Sequence, residues 1–450
     1  MPQNQTDYYI ELRHDTIRRY LFGPSFIVAI CAAVALPMHL ARAASVETTL
    51  YSFPCYPSGP ATPFAGLTFD SSGNLYGAGL AGGSVNLGAV FSLVPPAAGS
   101  TTWSTSTLYS FSSQTALLPD ASSPHAALLY QKNGTLFGTG YYSSDSGCGG
   151  NGCGGVYELS PPAAGQFAWS EKPLYIFSGG SDGENPAAAL VADQFQNLYG
   201  TTMNGGIASS GTVFELVSPG NSGGPWTEQQ LWSFDGAAGG AFPSGSLYQN
   251  QYGSFFGTTQ RGGANGGGTV FELTPPATRG APWTQQVLYS FLPPSNPSDG
   301  YQPVAQLVAD STGALFGTTQ FGGSSNRGTV FKLAPPISGQ SAWAETTLYS
   351  FHDTGDGALP SAGLFMNSKG VLFGTSSGTG NSGSYGTIFK LTPPASGSTA
   401  WKESTLYKFT GGANGEYPIS TLVAHKSGAL FGTAPDGGGS RCGIVFEVTP

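Results

Sequence analysis

Residues 303–319 read PVAQLVADSTGALFGTT, residues 320–336 continue QFGGSSNRGTVFKLAPP, and residues 337–351 close the unit with ISGQSAWAETTLYSF. The LYSF ending or a near copy starts at Leu50, Leu108, Leu174, Leu231, Leu288, Leu348 and Leu406, at intervals of 58, 66, 57, 57, 60 and 58 residues. A near-constant period of this size marks a repeat architecture, in which one supersecondary unit stacks on copies of itself.

Within the quoted unit four segments have strand composition, at about 304–309, 314–319, 328–334 and 343–351. DSTG joins the first two at hairpin length, and FGGSSN joins the second and third with glycines for which positive φ costs little. Pro335 and Pro336, between the third and fourth, have no amide hydrogen with which to extend a ladder. The order spells an antiparallel four-stranded meander. In GTVFKL, Phe331 and Leu333 leave one face while Val330 and Lys332 leave the other, and TLYSF carries both Leu348 and Tyr349. Both faces therefore need cover, which a ring of stacked sheets provides.

The two ends of the pattern favour a closed ring over an open solenoid. SVETTLYSF at 45–53 is a fourth strand without the three that precede it elsewhere, and 418–450 supplies three strands without a fourth. These deficits are complementary. The fold class expected is all-β, a seven-bladed β-propeller of four-stranded antiparallel blades closed by the N-terminal strand. Blades are expected at 61–111, 121–177, 186–234, 243–291, 303–351, 360–409 and 418–450, the last completed by 46–53. Cys55 follows the completing strand and Cys442 precedes the third strand of the same blade, so antiparallel pairing brings the two together as a disulfide.

Residues 1–44 stand outside the repeat. Arg13, Arg18 and Arg19 precede the apolar run FIVAICAAVALPMHL, and Ala41-Arg42-Ala43 has the form of a signal peptidase site. The segment reads as a signal peptide or an uncleaved membrane anchor, leaving 45–450 as one propeller domain. Without it, 12 Lys+Arg face 22 Asp+Glu, a formal charge of −10, and no basic patch exists for nucleic acid. The four remaining cysteines, Cys55, Cys148, Cys153 and Cys442, are an even number, as in a secreted, periplasmic or cell-surface protein. Cys148 and Cys153 lie in GCGGNGC within the enlarged second unit. They can form a local disulfide, remain free thiols or bind a metal. A metal site would need ligands that the neighbourhood lacks, so neither metal nor cofactor is expected.

Among side chains able to carry chemistry, most are periodic. Trp103, Trp169, Trp226, Trp283, Trp343 and Trp401 each precede the LYSF leucine by five residues, as interblade wedges would. Trp232 is the exception, taking the place of the tyrosine in LYSF. Asp182-Gly183, Asp299-Gly300, Asp356-Gly357 and Asn414-Gly415 form a recurrent turn, with Asp235-Gly236 displaced earlier. The Gly-Gly loops between strands two and three open on one face of the ring, which makes it the candidate ligand face. Tyr141, Tyr142 and Phe321 are candidate exposed platforms there, and Asp182, Glu184 and Asp356 are carboxylates that could reach the central mouth. His125, His352 and His425 lie in different units, and no HExxH, GxSxG or phosphate-binding loop is present.

The pattern LYSFxxxxDGxxPxxxLVxDxxGxLFGTTxxGGxxxxGTVFKLTPP resembles the GloVer tandem repeat of exported bacterial proteins. The likeness covers 46–450, with Ala314-Leu315-Phe316-Gly317-Thr318-Thr319 and Gly328-Thr329-Val330-Phe331-Lys332-Leu333 as near-ideal copies; GGVYEL at 154–159 departs most. It implies export and this fold, and brings no biochemical activity with it. Some relatives carry C-terminal anchors; none is expected in a chain ending at Pro450. The function expected is a monomeric, non-enzymatic binding or surface-interaction module with a neutral polysaccharide or cell-surface component as partner. The alternative is a carbohydrate-active enzyme, a glycoside hydrolase or lyase, at the central mouth.

Overall fold

The computed structural model describes residues 45–450, apart from 58, 113–119, 221–222, 279, 338–339 and 380–382; the signal or anchor segment at 1–44 lies outside the described residues. Each repeat folds as the meander its punctuation dictates. In the fifth blade Val308–Ala309, Leu315–Thr319, Thr329–Ala334 and Ala344–Ser350 pair in sequence order, with Gly317 opposite Phe331 and Leu333 opposite Glu345. Seven such sheets form the propeller, with strands spanning 68–110, 121–176, 191–233, 248–290, 308–350, 365–408 and 423–449, the last joined by 46–52; in the second, Ala121–Pro124 pairs on Leu136–Ser143 as a fifth strand.

One aromatic contact recurs at every blade interface. The phenylalanine ending LYSF meets, edge to face, the ring in the third strand of the following blade, at centroid distances of 4.9 to 5.3 Å. Both rings are fully buried, as Phe291 and Phe331 illustrate. The third-strand ring lies over the glycine of LFGTT, and a Cβ on Gly317 would stand 2.6 Å from Phe331 Cζ. That glycine therefore makes room for the contact.

Nearer the axis, the first threonine of LFGTT donates its hydroxyl to a backbone carbonyl of the next blade. Thr258 reaches Ala305 at 3.1 Å, Thr318 reaches Ala362 at 3.1 Å, and Thr433 reaches Ala65 at 3.0 Å. This geometry corrects the length of the first strand. The sequence suggests 304–309, yet only Val308–Ala309 pairs as strand. Pro303 offers no amide, and the Ala305 carbonyl is turned to the preceding blade instead of along its own ladder.

Five of the six periodic tryptophans wedge against the preceding blade as expected, for example Trp401 on Phe316 at 6.1 Å and Trp103 on Phe431 at 5.9 Å. Trp283 stacks at 5.8 Å on Phe255 of its own blade, which replaces the leucine found there elsewhere, and packs against a cluster that also holds Tyr199 and Val213 of the third blade.

Closure repeats these devices across the chain ends. Val46–Ser52 pairs antiparallel with Ile444–Thr449, Phe53 packs on Phe91 of the first blade at 4.9 Å, and Cys55 is bonded to Cys442 with a Cα separation of 5.3 Å. Deleting 45–55 removes all three, and thermal unfolding is expected to fall far more than after an ordinary terminal trim. Replacing Cys55 and Cys442 together by serine is the milder test. With a sequence separation of 387, the chain-entropy picture puts the upper bound at about 6 kcal/mol. The double variant should melt lower than the oxidised wild type, and reductant should narrow the gap; equal melting without reductant would show that closure does not depend on the bond.

Candidate functional site at the mouth of the central cavity

The inner ends of the seven blades enclose a cavity of about 890 Å³. Two repeat positions reach its mouth: the residue after the proline that leads into the inner strand and, in every blade but the first, the residue that follows the LFGTT segment of the second strand. The side chains at these positions change from blade to blade while the framework around them repeats. Blades one to three contribute Phe64, His125, Tyr141 and Met203. Blades four to six contribute Ser244, Gln260, Gln320, Ser361 and Ser377. The seventh adds Ile419 and Pro435, beside Tyr417 and Asp436.

The mouth is thus two-sided. On the aromatic side the His125 ring lies between Phe64, at 5.4 Å, and Tyr141, at 4.5 Å, and Tyr142 stands edge-on to Tyr141 at 4.9 Å. Nδ1 of His125 lies 2.9 Å from the Ser123 carbonyl, which requires the proton on Nδ1 and leaves Nε2 as an acceptor in the neutral ring. Burial holds this histidine below its usual value, against the opposing pull of that hydrogen bond. On the polar side, groups are held by one another: Gln320 Nε2 donates to Ser361 Oγ at 3.2 Å, and Ser244 Oγ donates to the Val304 carbonyl at 3.2 Å. Asp436 has its carboxyl raised by burial, with the nearby Glu416 charge adding to the effect.

The residues singled out from sequence separate into two groups. Tyr141 lines the cavity and Tyr142 braces it; both are half-buried, not fully exposed platforms. Phe321 is also half-buried and stacks on Tyr301 at 5.3 Å, away from the cavity. Asp182, Glu184 and Asp356 do not line the mouth, contrary to the sequence expectation. Asp182 accepts from the Tyr175 hydroxyl at 2.8 Å and the Ser178 amide at 2.6 Å, Glu184 accepts from the Gly180 amide at 3.1 Å, and Asp356 accepts from the Tyr349 hydroxyl at 2.8 Å. Asp182 and Asp356 tie the turn after the outer strand to the LYSF tyrosine, and Glu184 braces the backbone of that turn. The histidines do not converge either, since His352 lies 3.3 Å from Asp356 and His425 packs on Phe69 in a hairpin.

Phe64, Met203, Gln260 and Gln320 were not picked out from sequence. Their signal lay in comparing the seven copies column by column, where these are the columns that fail to repeat. The enlarged second blade adds a Cys148–Cys153 disulfide, with a Cα separation of 5.1 Å, in the loop that follows Tyr141 and Tyr142. Among the described residues no group of three or more His, Cys, Asp and Glu is placed to hold a metal, and no helix is long and apolar enough to cross a membrane.

Fold and cavity define a repeat-built propeller with one axial site. The chain belongs to the Gloeobacter/Verrucomicrobia repeat family, whose model matches residues 38–222, 142–341 and 281–450. Among solved structures it is similar to PorZ, a bacterial surface component of the type-IX secretion system of Porphyromonas gingivalis, at 15% identity and a TM-score of 0.50. The match covers 88% of this chain and 48% of PorZ. A Bacteroides uniformis protein provisionally assigned as a 6-phosphogluconolactonase aligns at 13% identity and a TM-score of 0.48, covering 82% of this chain and 89% of that one. A Dyadobacter fermentans protein of unknown function aligns at 11% identity and a TM-score of 0.44, covering 91% and 100%. At these identities the likeness to PorZ is one of fold alone. No curated protein matches the chain by sequence.

The outer rim holds a second set of titratable groups. Between the fourth and fifth blades Tyr289 donates to Asp299 at 2.6 Å, and Glu345 of the fifth blade faces that pair. Burial, with the Asp299 charge adding to it against a hydrogen bond from Thr347, raises Glu345 to about 7. Burial and Asp120 raise Glu171 to about 8, and burial and Asp182 raise Glu228 to about 7. Each of these folded values exceeds the 4.5 of an ordinary glutamate, so between pH 4.5 and 8 the folded state holds more protons than the unfolded chain. The corresponding stability is present below about pH 4.5 and is lost as pH rises through about 7 to 8. His125, depressed by burial, works in the opposite direction only at and below about its unperturbed 6.5. Melting temperature is therefore expected to fall from about pH 4.5 to about 8 and to level off above that. Replacing Glu171, Glu228 and Glu345 together by glutamine should flatten that drop; an unchanged slope in the triple variant would assign it to other groups.

Proposed function

We propose that this chain is an exported, non-enzymatic binding module that takes a neutral, polar carbohydrate at the mouth of its central cavity, acting as a monomer. The observation that carries the reading is the contrast between a repeated framework and the variable columns at the mouth. Structural needs alone would favour the same residue in every copy, as they do for the aromatic contacts between blades, Phe on Phe at all but the Phe111–Tyr157 pair. A sugar ring has an apolar C–H face and a hydroxyl edge, and the mouth offers Phe64, His125 and Tyr141 for the first and Gln260, Gln320, Ser361 and Ser377 for the second. The formal charge of −9 for the whole chain, with no basic patch, disfavours nucleic acid and other polyanions. Two disulfides and membership in a family resembling exported repeats support a secreted, periplasmic or cell-surface setting.

The reading rests on one asymmetric site on the axis. Binding is preferred to glycoside hydrolysis because, among the described residues, only Asp436 brings a carboxylate to the cavity wall, whereas such chemistry ordinarily uses a pair. The test is a glycan array followed by titration of soluble oligosaccharides into protein lacking residues 1–44. Tyr141→Ala combined with Tyr142→Ala, and separately Gln260→Ala combined with Gln320→Ala, should each weaken binding by about tenfold or more, equivalent to about 1.4 kcal/mol. Absence of binding at millimolar sugar would remove the function. Binding unaffected by both double variants would move it away from the mouth, and release of reducing ends would make the protein an enzyme.

A further inference from the structure

Two departures from the repeat, Trp232 in place of the LYSF tyrosine and the displaced Asp235-Gly236, meet at the outer rim between the third and fourth blades. At the next interface the corresponding space is occupied by the Tyr289–Asp299 hydrogen bond and the Glu345 carboxyl. Here the indole has no hydroxyl to offer an acid. Asp235 turns into its own loop, where Oδ1 accepts from the Ala237 amide at 2.9 Å and the Gly239 amide at 3.1 Å. A third departure completes the change: Gln285 stands where the fifth blade has Glu345, and its Nε2 donates to the Gly239 carbonyl at 3.1 Å. The consequence is a cavity of about 350 Å³ open to solvent at the rim, lined by Trp232, Val287, Ala238, Asp235, Gln285 and Ser290 among others. Trp232 Nε1 is buried there with no hydrogen-bond partner among the described residues, a cost that no other repeat carries at this position.

We propose that this rim cavity is a second binding site, separate from the axial mouth, that accepts a single neutral pyranose unit. Its volume falls at the lower end of small-molecule sites, which run from about 300 to 1,000 Å³. Trp232, Val287 and Ala238 offer an apolar wall for the C–H face of the ring, while Asp235 Oδ2, which has no partner among the described residues, accepts from ring hydroxyls. The Asp235 charge is already shared with two amides and exposed to water, which weakens the case for an organic cation as the occupant. A sugar polymer engaged by both mouth and rim would gain avidity without any further contact.

The experiment uses the 45–450 protein labelled with 5-fluorotryptophan and followed by fluorine NMR, with the Trp232 resonance identified by its loss in Trp232→Tyr. That variant restores the repeat residue and should fold. Titration with methyl β-glucopyranoside, methyl α-mannopyranoside and N-acetylglucosamine should move the Trp232 resonance saturably in the millimolar range for at least one sugar. Asp235→Asn keeps Oδ1 for the loop and removes the free acceptor, so the shift should weaken by about tenfold. Tyr141→Ala with Tyr142→Ala should leave it unchanged, which distinguishes failure of this site from failure of the mouth. No saturable shift with any of the three sugars, a titration in Asp235→Asn equal to wild type, or a response to tetramethylammonium in place of the sugars would each overturn the proposal.

Discussion

A ring of aromatic edge-to-face contacts, each joining the phenylalanine of one blade to the third strand of the next, is the interaction on which this propeller depends. A four-stranded meander with large side chains on both faces has no stable existence alone, and each blade obtains its missing core from its neighbours. The final interface brings the two ends of the chain together with the same parts, Phe53 on Phe91 and Thr433 on Ala65, and one covalent bond is added between Cys55 and Cys442, 387 positions apart. Stability is therefore distributed evenly around the circle, and the ends of the chain are where it can be undone.

That even distribution has a functional consequence. Because the core contacts join every pair of neighbouring blades, with inner threonine bonds and outer turn anchors reinforcing most of them, the side chains that face the axial opening are released from structural duty. Evolution of a repeat would tend to keep Phe331-like positions alike and let the mouth columns diverge. Phe64, His125 and Tyr141 on one side and the glutamine and serine side chains on the other are the product, an asymmetric opening in a nearly symmetric ring. The same reasoning applies at the rim, where Trp232, Asp235 and Gln285 depart together and leave a hollow where the next interface has the hydrogen-bonded Tyr289–Asp299 pair.

The rim acids illustrate how burial changes the role of a residue that looks unremarkable in sequence. Glu171, Glu228 and Glu345 occupy one column of the repeat and read as ordinary strand polar residues. Stacking sets each one beside the tyrosine–aspartate pair of the preceding blade, where burial and a like charge favour the protonated carboxyl. The acids that had drawn notice as catalytic candidates, Asp182 and Asp356, prove to be the fixed partners in such pairs.

The sequence by itself determined the architecture. Strand order follows from turns and prolines read along one dimension, blade number from the period, and closure with the Cys55–Cys442 bond from the complementary strand deficit at the two ends. It overestimated the inner strand, because the pull of Thr258 on the Ala305 carbonyl comes from a different repeat. Only the tertiary structure decided which side chains meet. Tyr141 and Gln320 are separated by three repeats yet share one cavity, and Asp182 is close to Tyr141 in sequence yet faces the rim. The physical reason is that a side chain's radial position depends on how its strand is stacked around the axis, and local periodicity within one strand carries no record of that axis.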